Sequence, residues 1–112
     1  MDQRSIDEAD HPALRLLEPG ETVQAIARAA SASLLVTDRR LALAEEDRLA
    51  LDLRFNGLRR IQFDIERDRP ATLVIVPEHP RNEPQVIAVP PERFDEVTHA
   101  LALIGSRLYE LG

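Results

Sequence analysis

The chain has 112 residues, of which 20 are acidic and 14 basic, for a formal net charge of -6. That length accommodates one domain, able to bury roughly 65% of its unfolded surface in a single core without metal or disulfide support. The negative balance repels phosphate backbones and anionic lipid surfaces, and the absence of cysteine excludes disulfides, thiol catalysis and cysteine-based zinc sites.

Every basic side chain is arginine, and lysine and tryptophan are absent. We read this as a compositional bias, not as a nucleic-acid signature. The N-terminus has no basic start followed by an apolar stretch, and no apolar run approaches the ~20 residues of a membrane span. A cytoplasmic protein is expected. Residues 1–11 carry little apolar surface and are expected to form a flexible tail, leaving 12–112 as the domain.

Proline near a first helical position after Asp10-His11 predicts a helical turn or two, with Leu14 and Leu17 as core contacts and Pro19-Gly20 as its stop. Glu21 to Ala30 fits two patterns. Val23, Ile26, Ala27 and Ala30 follow helical spacing, whereas a strand places Val23, Ala25, Ala27 and Ala29 on one face. The β hairpin that follows favours the strand. In that hairpin the apolar runs Leu34 to Val36 and Leu41 to Ala44 flank the polar tetrad Thr37-Asp38-Arg39-Arg40, two antiparallel strands around a charged tight turn.

Glu45-Glu46-Asp47 makes the next turn, and Leu49, Leu51, Leu53 and Phe55 alternate with Ala50, Asp52 and Arg54 in a half-buried strand. Asn56-Gly57 is a hairpin signal. The three-residue spacing of Phe55, Leu58 and Ile61 instead suggests a wider connection, before Ile61, Phe63 and Ile65 alternate in a further strand. Thr72 to Val76 and Gln85 to Val89 are short strands separated by a proline-rich loop that cannot join a ladder. Both look like poorly guarded edges. Pro90-Pro91 ends the sheet, and Phe94, Val97, Leu101, Ile104 and Leu108 form one stripe of a C-terminal helix, worth on the order of 8 to 15 kcal/mol if buried. Leu103 and Leu111 fall outside that stripe and suggest an oligomer contact.

Leu17-Glu18-Pro19-Gly20-Glu21, Leu34-Leu35-Val36-Thr37-Asp38-Arg39-Arg40-Leu41, Phe55-Asn56-Gly57-Leu58-Arg59-Arg60-Ile61 and the terminal amphipathic helix together resemble bacterial pleckstrin-homology-like domains, including the GRAM-like ones. The resemblance covers about residues 14 to 111, and its most specific element is the apolar-Thr-Asp-Arg-Arg-apolar hairpin. It implies a mainly β fold, a PH-like barrel of about seven bent antiparallel strands capped by one C-terminal α-helix, with Glu21 to Ala30 as the first strand. The cationic first loop of phosphoinositide-binding members is missing: Ala29-Ala30-Ser31-Ala32-Ser33 has only Arg28 beside it.

Arg39 and Arg40 with Arg59 and Arg60 are the adjacent cationic pairs. Brought together, they would bind a phosphate, a lipid headgroup or a partner's carboxylates; the plainer expectation is that they pair with Asp38, Asp64 and Glu66. His11, His79 and His99 never fall at metal-ligand spacing and are expected on the surface. Ser31, Ser33, Thr37 and Ser106 lie in no nucleophile motif, and Thr37 is expected to bond its own turn. The reading is therefore a non-enzymatic protein-interaction or self-assembly module without metal or cofactor, whose partner is a protein or a second copy. The alternative is a peripheral lipid-headgroup or anion binder that uses the four arginines.

Overall fold

The computed structural model describes residues 11–111, with side chains through Tyr109. Seven strands form two antiparallel sheets. The first has the order β1 (Val23–Arg28), β2 (Ala32–Thr37), β3 (Arg40–Glu45) and β4 (Arg48–Arg54); the second has the order β5 (Leu58–Asp64), β6 (Ala71–Pro77) and β7 (Gln85–Val89). Helix α1 (Phe94–Leu111) follows, and among the described residues no helix is long and apolar enough to cross a membrane. Among the described residues no ladder joins the two sheets into a closed barrel. At one corner they are tied by the Ala30 amide donating to the Ala88 carbonyl at 3.2 Å.

Within Glu21 to Ala30, residues Val23–Arg28 form strand β1. Its helix propensity is outweighed by the ladder with β2, in which Ala25 faces Val36 and Ala27 faces Leu34. Asn56-Gly57 closes no hairpin. It lies in a 3-10 turn, Phe55–Gly57, that carries the chain from one sheet to the other and leaves Leu58 buried. This is the wider connection suggested by the three-residue spacing.

Inner-face residues Leu34, Val36, Leu41, Leu43, Leu51 and Leu53 of the first sheet pack with Leu73, Ile75, Ile87 and Val89 of the second. Helix α1 adds Val97, Ala100 and Ile104, while Phe94, Leu101 and Leu108 of the expected stripe are half-buried against the same core. Phe63 of β5 meets Phe94 edge to face at 5.7 Å, and Glu96 accepts the Arg28 amide at 3.0 Å, docking the helix on β1.

The first sheet is covered on its outer face as well. A 3-10 turn, Pro12–Leu16, lays Ala13 on Leu35 and Ala42, with Leu14, Leu17, Ile26 and Leu49 around them. Leu49 thus departs from the expected alternation. The register slips between Leu43/Leu51 and Ala44/Leu49, and this bulge at Ala50 turns Leu49 to the outer cluster while Leu51 stays inside.

His11 lies in neither the tail nor the surface set expected for it. It is 4% exposed and caps the turn: Nδ1 accepts the Ala13 amide at 3.2 Å, and Nε2 donates to the Ser33 carbonyl at 3.2 Å. This ring is buried and hydrogen-bonded at both nitrogens, so the folded domain includes residue 11.

Candidate functional site

The Thr-Asp-Arg-Arg turn is held by hydrogen bonds converging from three elements. Thr37 Oγ1 accepts the amides of Arg39 and Arg40, each at 3.0 Å, and donates its proton to Glu21 Oε2 at 2.6 Å. Asp38 Oδ1 accepts the Thr22 amide at 2.9 Å, while the Asp38 amide donates to the Thr22 carbonyl at 3.1 Å. The hairpin tip is thereby fastened to the start of β1.

Arg40 is 8% exposed, and the Glu21 side chain has no exposed surface. The two meet fork to fork, with Arg40 Nε to Glu21 Oε2 at 2.9 Å and Arg40 Nη2 to Glu21 Oε1 at 3.0 Å. Arg40 Nη1 reaches Asp52 Oδ2 at 3.1 Å. Around this pair, Glu18 Oε1 accepts from Arg54 at 2.7 Å and from Arg39 at 3.4 Å. Gly20, at a φ of 81° that only glycine adopts without strain, bends the chain between the two glutamates; a Cβ there would stand 3.3 Å from Arg39 Nη2.

Burial would push the Glu21 carboxyl up, but hydrogen bonds from Thr37 Oγ1, the Glu18 amide and Arg40 prevail and hold its pKa at about 2. Arg40 is shifted upward, chiefly by its hydrogen bond with Glu21. The pair is therefore ionised together, and each charge is saturated by the other. Such a guanidinium is a structural clamp with little left to offer an incoming anion.

The four arginines singled out in the sequence consequently have different environments. Arg39 and Arg40 belong to the network just described; Asp38, bonded to Thr22, comes no nearer to Arg39 than 4.0 Å. Arg59 and Arg60 lie on β5 of the other sheet, exposed and with no ion pair among the described residues. Asp64 takes both its contacts from Gln62 Nε2, at 2.8 and 3.1 Å, and Glu66 reaches Arg69 at 3.9 Å. Sequence reasoning missed Glu18, Glu21, Asp52 and Arg54 as partners. The available signal was the Leu-Glu-Pro-Gly-Glu stretch, whose two carboxylates flank a glycine turn.

His79 and His99 are exposed, and His79 Nδ1 accepts the Arg81 amide at 3.1 Å. Among the described residues no three histidines or carboxylates are grouped so as to hold a metal. Leu103, expected at an oligomer contact, is half-buried and packs on the domain's own core; the Leu111 side chain lies outside the described residues.

One expected edge is corrected. Thr72 to Val76 falls within β6, the middle strand of the second sheet, so its free edges are β5 and β7. The outer face of this sheet carries Arg60, Gln62 and Asp64 on β5, Thr72, Val74 and Val76 on β6, and Val86 and Ala88 on β7. Val86 is 69% exposed. Comparison with family models, with curated proteins and with solved structures finds no match to this chain.

Proposed function

We propose that the chain is a cytoplasmic, non-enzymatic interaction module of pleckstrin-homology-like architecture, binding a protein, a second copy of itself first among candidates, through its three-stranded sheet. The observation that carries this reading is the uncovered outer face of that sheet, a valine-rich row beside an exposed β5, while the first sheet is covered on both sides. Two antiparallel sheets of four and three strands with one C-terminal helix support the mainly β part of what the resemblance implies; the barrel-like closure belongs to the proposal.

The alternative anion site loses half its members. Arg40 is buried and neutralised, and Arg39 faces Glu18, which leaves Arg59 and Arg60 without the convergent cations a headgroup requires. Sedimentation velocity over a hundredfold concentration range, paired with cosedimentation on vesicles containing one quarter phosphatidylserine, tests the choice. The expected result is a mass that rises with concentration and no vesicle binding at physiological salt. A constant monomer mass with vesicle binding that Arg59→Glu and Arg60→Glu abolish would replace this reading with the anion-binding one.

A further inference from the structure

Four strands border the two sheets: β1, β4, β5 and β7. β1 is engaged by helix α1 through the Glu96 carboxylate on the Arg28 amide, and β7 by the Ala30 amide on the Ala88 carbonyl. β4 is interrupted by the Ala50 bulge, and a two-fold about Leu51, its central residue, would set Arg48 against Arg54 of the other copy. β5 differs. Its bulge lies at Arg59, near its start, so Arg60 to Asp64 is a regular stretch of edge strand.

That stretch reads Arg60-Ile61-Gln62-Phe63-Asp64 and is complementary to itself when reversed. An antiparallel pairing about a two-fold at Gln62 brings Arg60 opposite Asp64 of the second copy, and Asp64 opposite its Arg60. Ile61 then faces Phe63 on the other side of the sheet, also twice. Opposite charges and aromatic-aliphatic neighbours are the pairs that stabilise antiparallel strands, and a closed two-fold uses each of them twice. Among the described residues Arg60 has no ion pair, and Asp64 is met only by the neutral Gln62 amide. Ile61 and Phe63 are half-buried, with surface left to cover.

We propose that two copies of this chain associate edge to edge through β5, with Gln62 on the two-fold axis and Arg60 paired to Asp64 across it, making one six-stranded sheet. This rests on the reading of the domain as an interaction module and names its partner and its register. So short a seam lies well below the area of permanent dimers, so a reversible, concentration-dependent dimer is expected. High salt weakens the assembly because both ion pairs are exposed.

The chain has no cysteine, so one introduced thiol reports position without background. Gln62→Cys is expected to form a disulfide dimer under mild oxidation, whereas Val86→Cys, on the opposite edge strand, is not. Sedimentation equilibrium gives the second arm. Arg60→Glu and Asp64→Arg each place two like-charge pairs in the seam and are expected to raise the dissociation constant at least about tenfold, while the double variant recovers the parent value. All three positions are exposed, and thermal melts check that each variant stays folded. A parent dimer indifferent to these changes would overturn the β5 register and leave the interaction module standing. A strictly monomeric parent up to millimolar concentration would overturn self-association through this sheet altogether.

Discussion

The two sheets use arginine in opposite ways. In the four-stranded sheet, Arg40 is enclosed between Glu21 and Asp52, and the outer face is sealed by the Pro12–Leu16 turn. In the three-stranded sheet, Arg59 and Arg60 stand in solvent and Val86 of the outer face is exposed, with Val74 and Val76 half-buried beside it. The same dipeptide, Arg-Arg after an apolar strand or turn, is thus a fastening in one place and a surface in the other. What decides is the neighbourhood of carboxylates: the first pair faces Glu18, Glu21 and Asp52, and no carboxylate pairs with the second among the described residues. The motif that looks most like a binding site is the one already occupied by its own protein.

The sharpest way to break this comparison is to truncate one arginine from each sheet. Arg40→Ala leaves the buried Glu21 carboxylate without its guanidinium and is expected to cost about 3 to 5 kcal/mol. Arg60→Ala removes an exposed side chain and should stay within about 0.5 kcal/mol. Urea melts at submicromolar protein, where association does not contribute, measure both. Equal losses would mean that Arg40 is no clamp.

The outer faces allow the same contrast in apolar terms. Leu35 is fully buried beneath the Pro12–Leu16 turn, so Leu35→Ala should cost about 2 to 5 kcal/mol in the same melts. Val86→Ala, at a side chain 69% exposed with nothing among the described residues over it, should change stability by less than about 0.5 kcal/mol. A large loss at Val86 would show that the second sheet is covered after all.

The contrast between the sheets was only partly legible in the sequence. Alternation of Leu51, Leu53 and Phe55 with polar neighbours, and the 3,4 spacing of the C-terminal stripe, are local signals, and the strands and helix they predict are present. Glu21 to Ala30 was ambiguous because alanine satisfies both periods; its strand is settled by pairing with β2, which no local window contains. The same limit hid the clamp. The turn chemistry of Thr37 follows from its neighbours, but Arg40 finds Glu21 and Asp52 at separations of 19 and 12 residues through two different ladders. Strand order is equally non-local, which is why Thr72 to Val76, apolar and short, passed for an edge while sitting at the centre of its sheet.

Acid titration sharpens the comparison further, since the buried carboxylate belongs to the first sheet. The folded pKa of Glu21, about 2, lies below the ordinary 4.5, so between those values the unfolded chain binds the proton first. Its stabilisation is therefore complete above about pH 4.5 and is lost as pH falls toward 2. The shift corresponds to a loss on the order of 3 kcal/mol. Melts of Glu21→Gln should show a lower but flatter profile across that window. A parent-like slope in the variant would assign the acid sensitivity to other carboxylates.

The smallest effect concerns the lid on the first sheet, and it falls in a separate pH range. Burial lowers the pKa of His11 below 6.5, against a raising contribution from the Ser33 carbonyl. The geometry explains why the neutral ring is preferred: Nε2 carries the hydrogen given to Ser33, and Nδ1 must keep its lone pair to accept the Ala13 amide. A second proton would set two donors face to face at the cap of the turn. Because the folded pKa is depressed, the unfolded state gains protons first as pH drops below about 6.5, and the fold loses stability from there down to the folded pKa. Above 6.5 nothing changes. His11→Asn keeps an acceptor for the Ala13 amide and removes the titration, so its melting temperature should not follow the parent's decline between pH 7.5 and 5.5. Amide exchange at Leu14, whose N–H donates to the His11 carbonyl at 3.0 Å, gives the local readout: it should quicken on acidification relative to β6 amides in the parent and not in the variant. If both proteins lose the same stability over that interval, the titrating group is not His11 and the lid is insensitive to it.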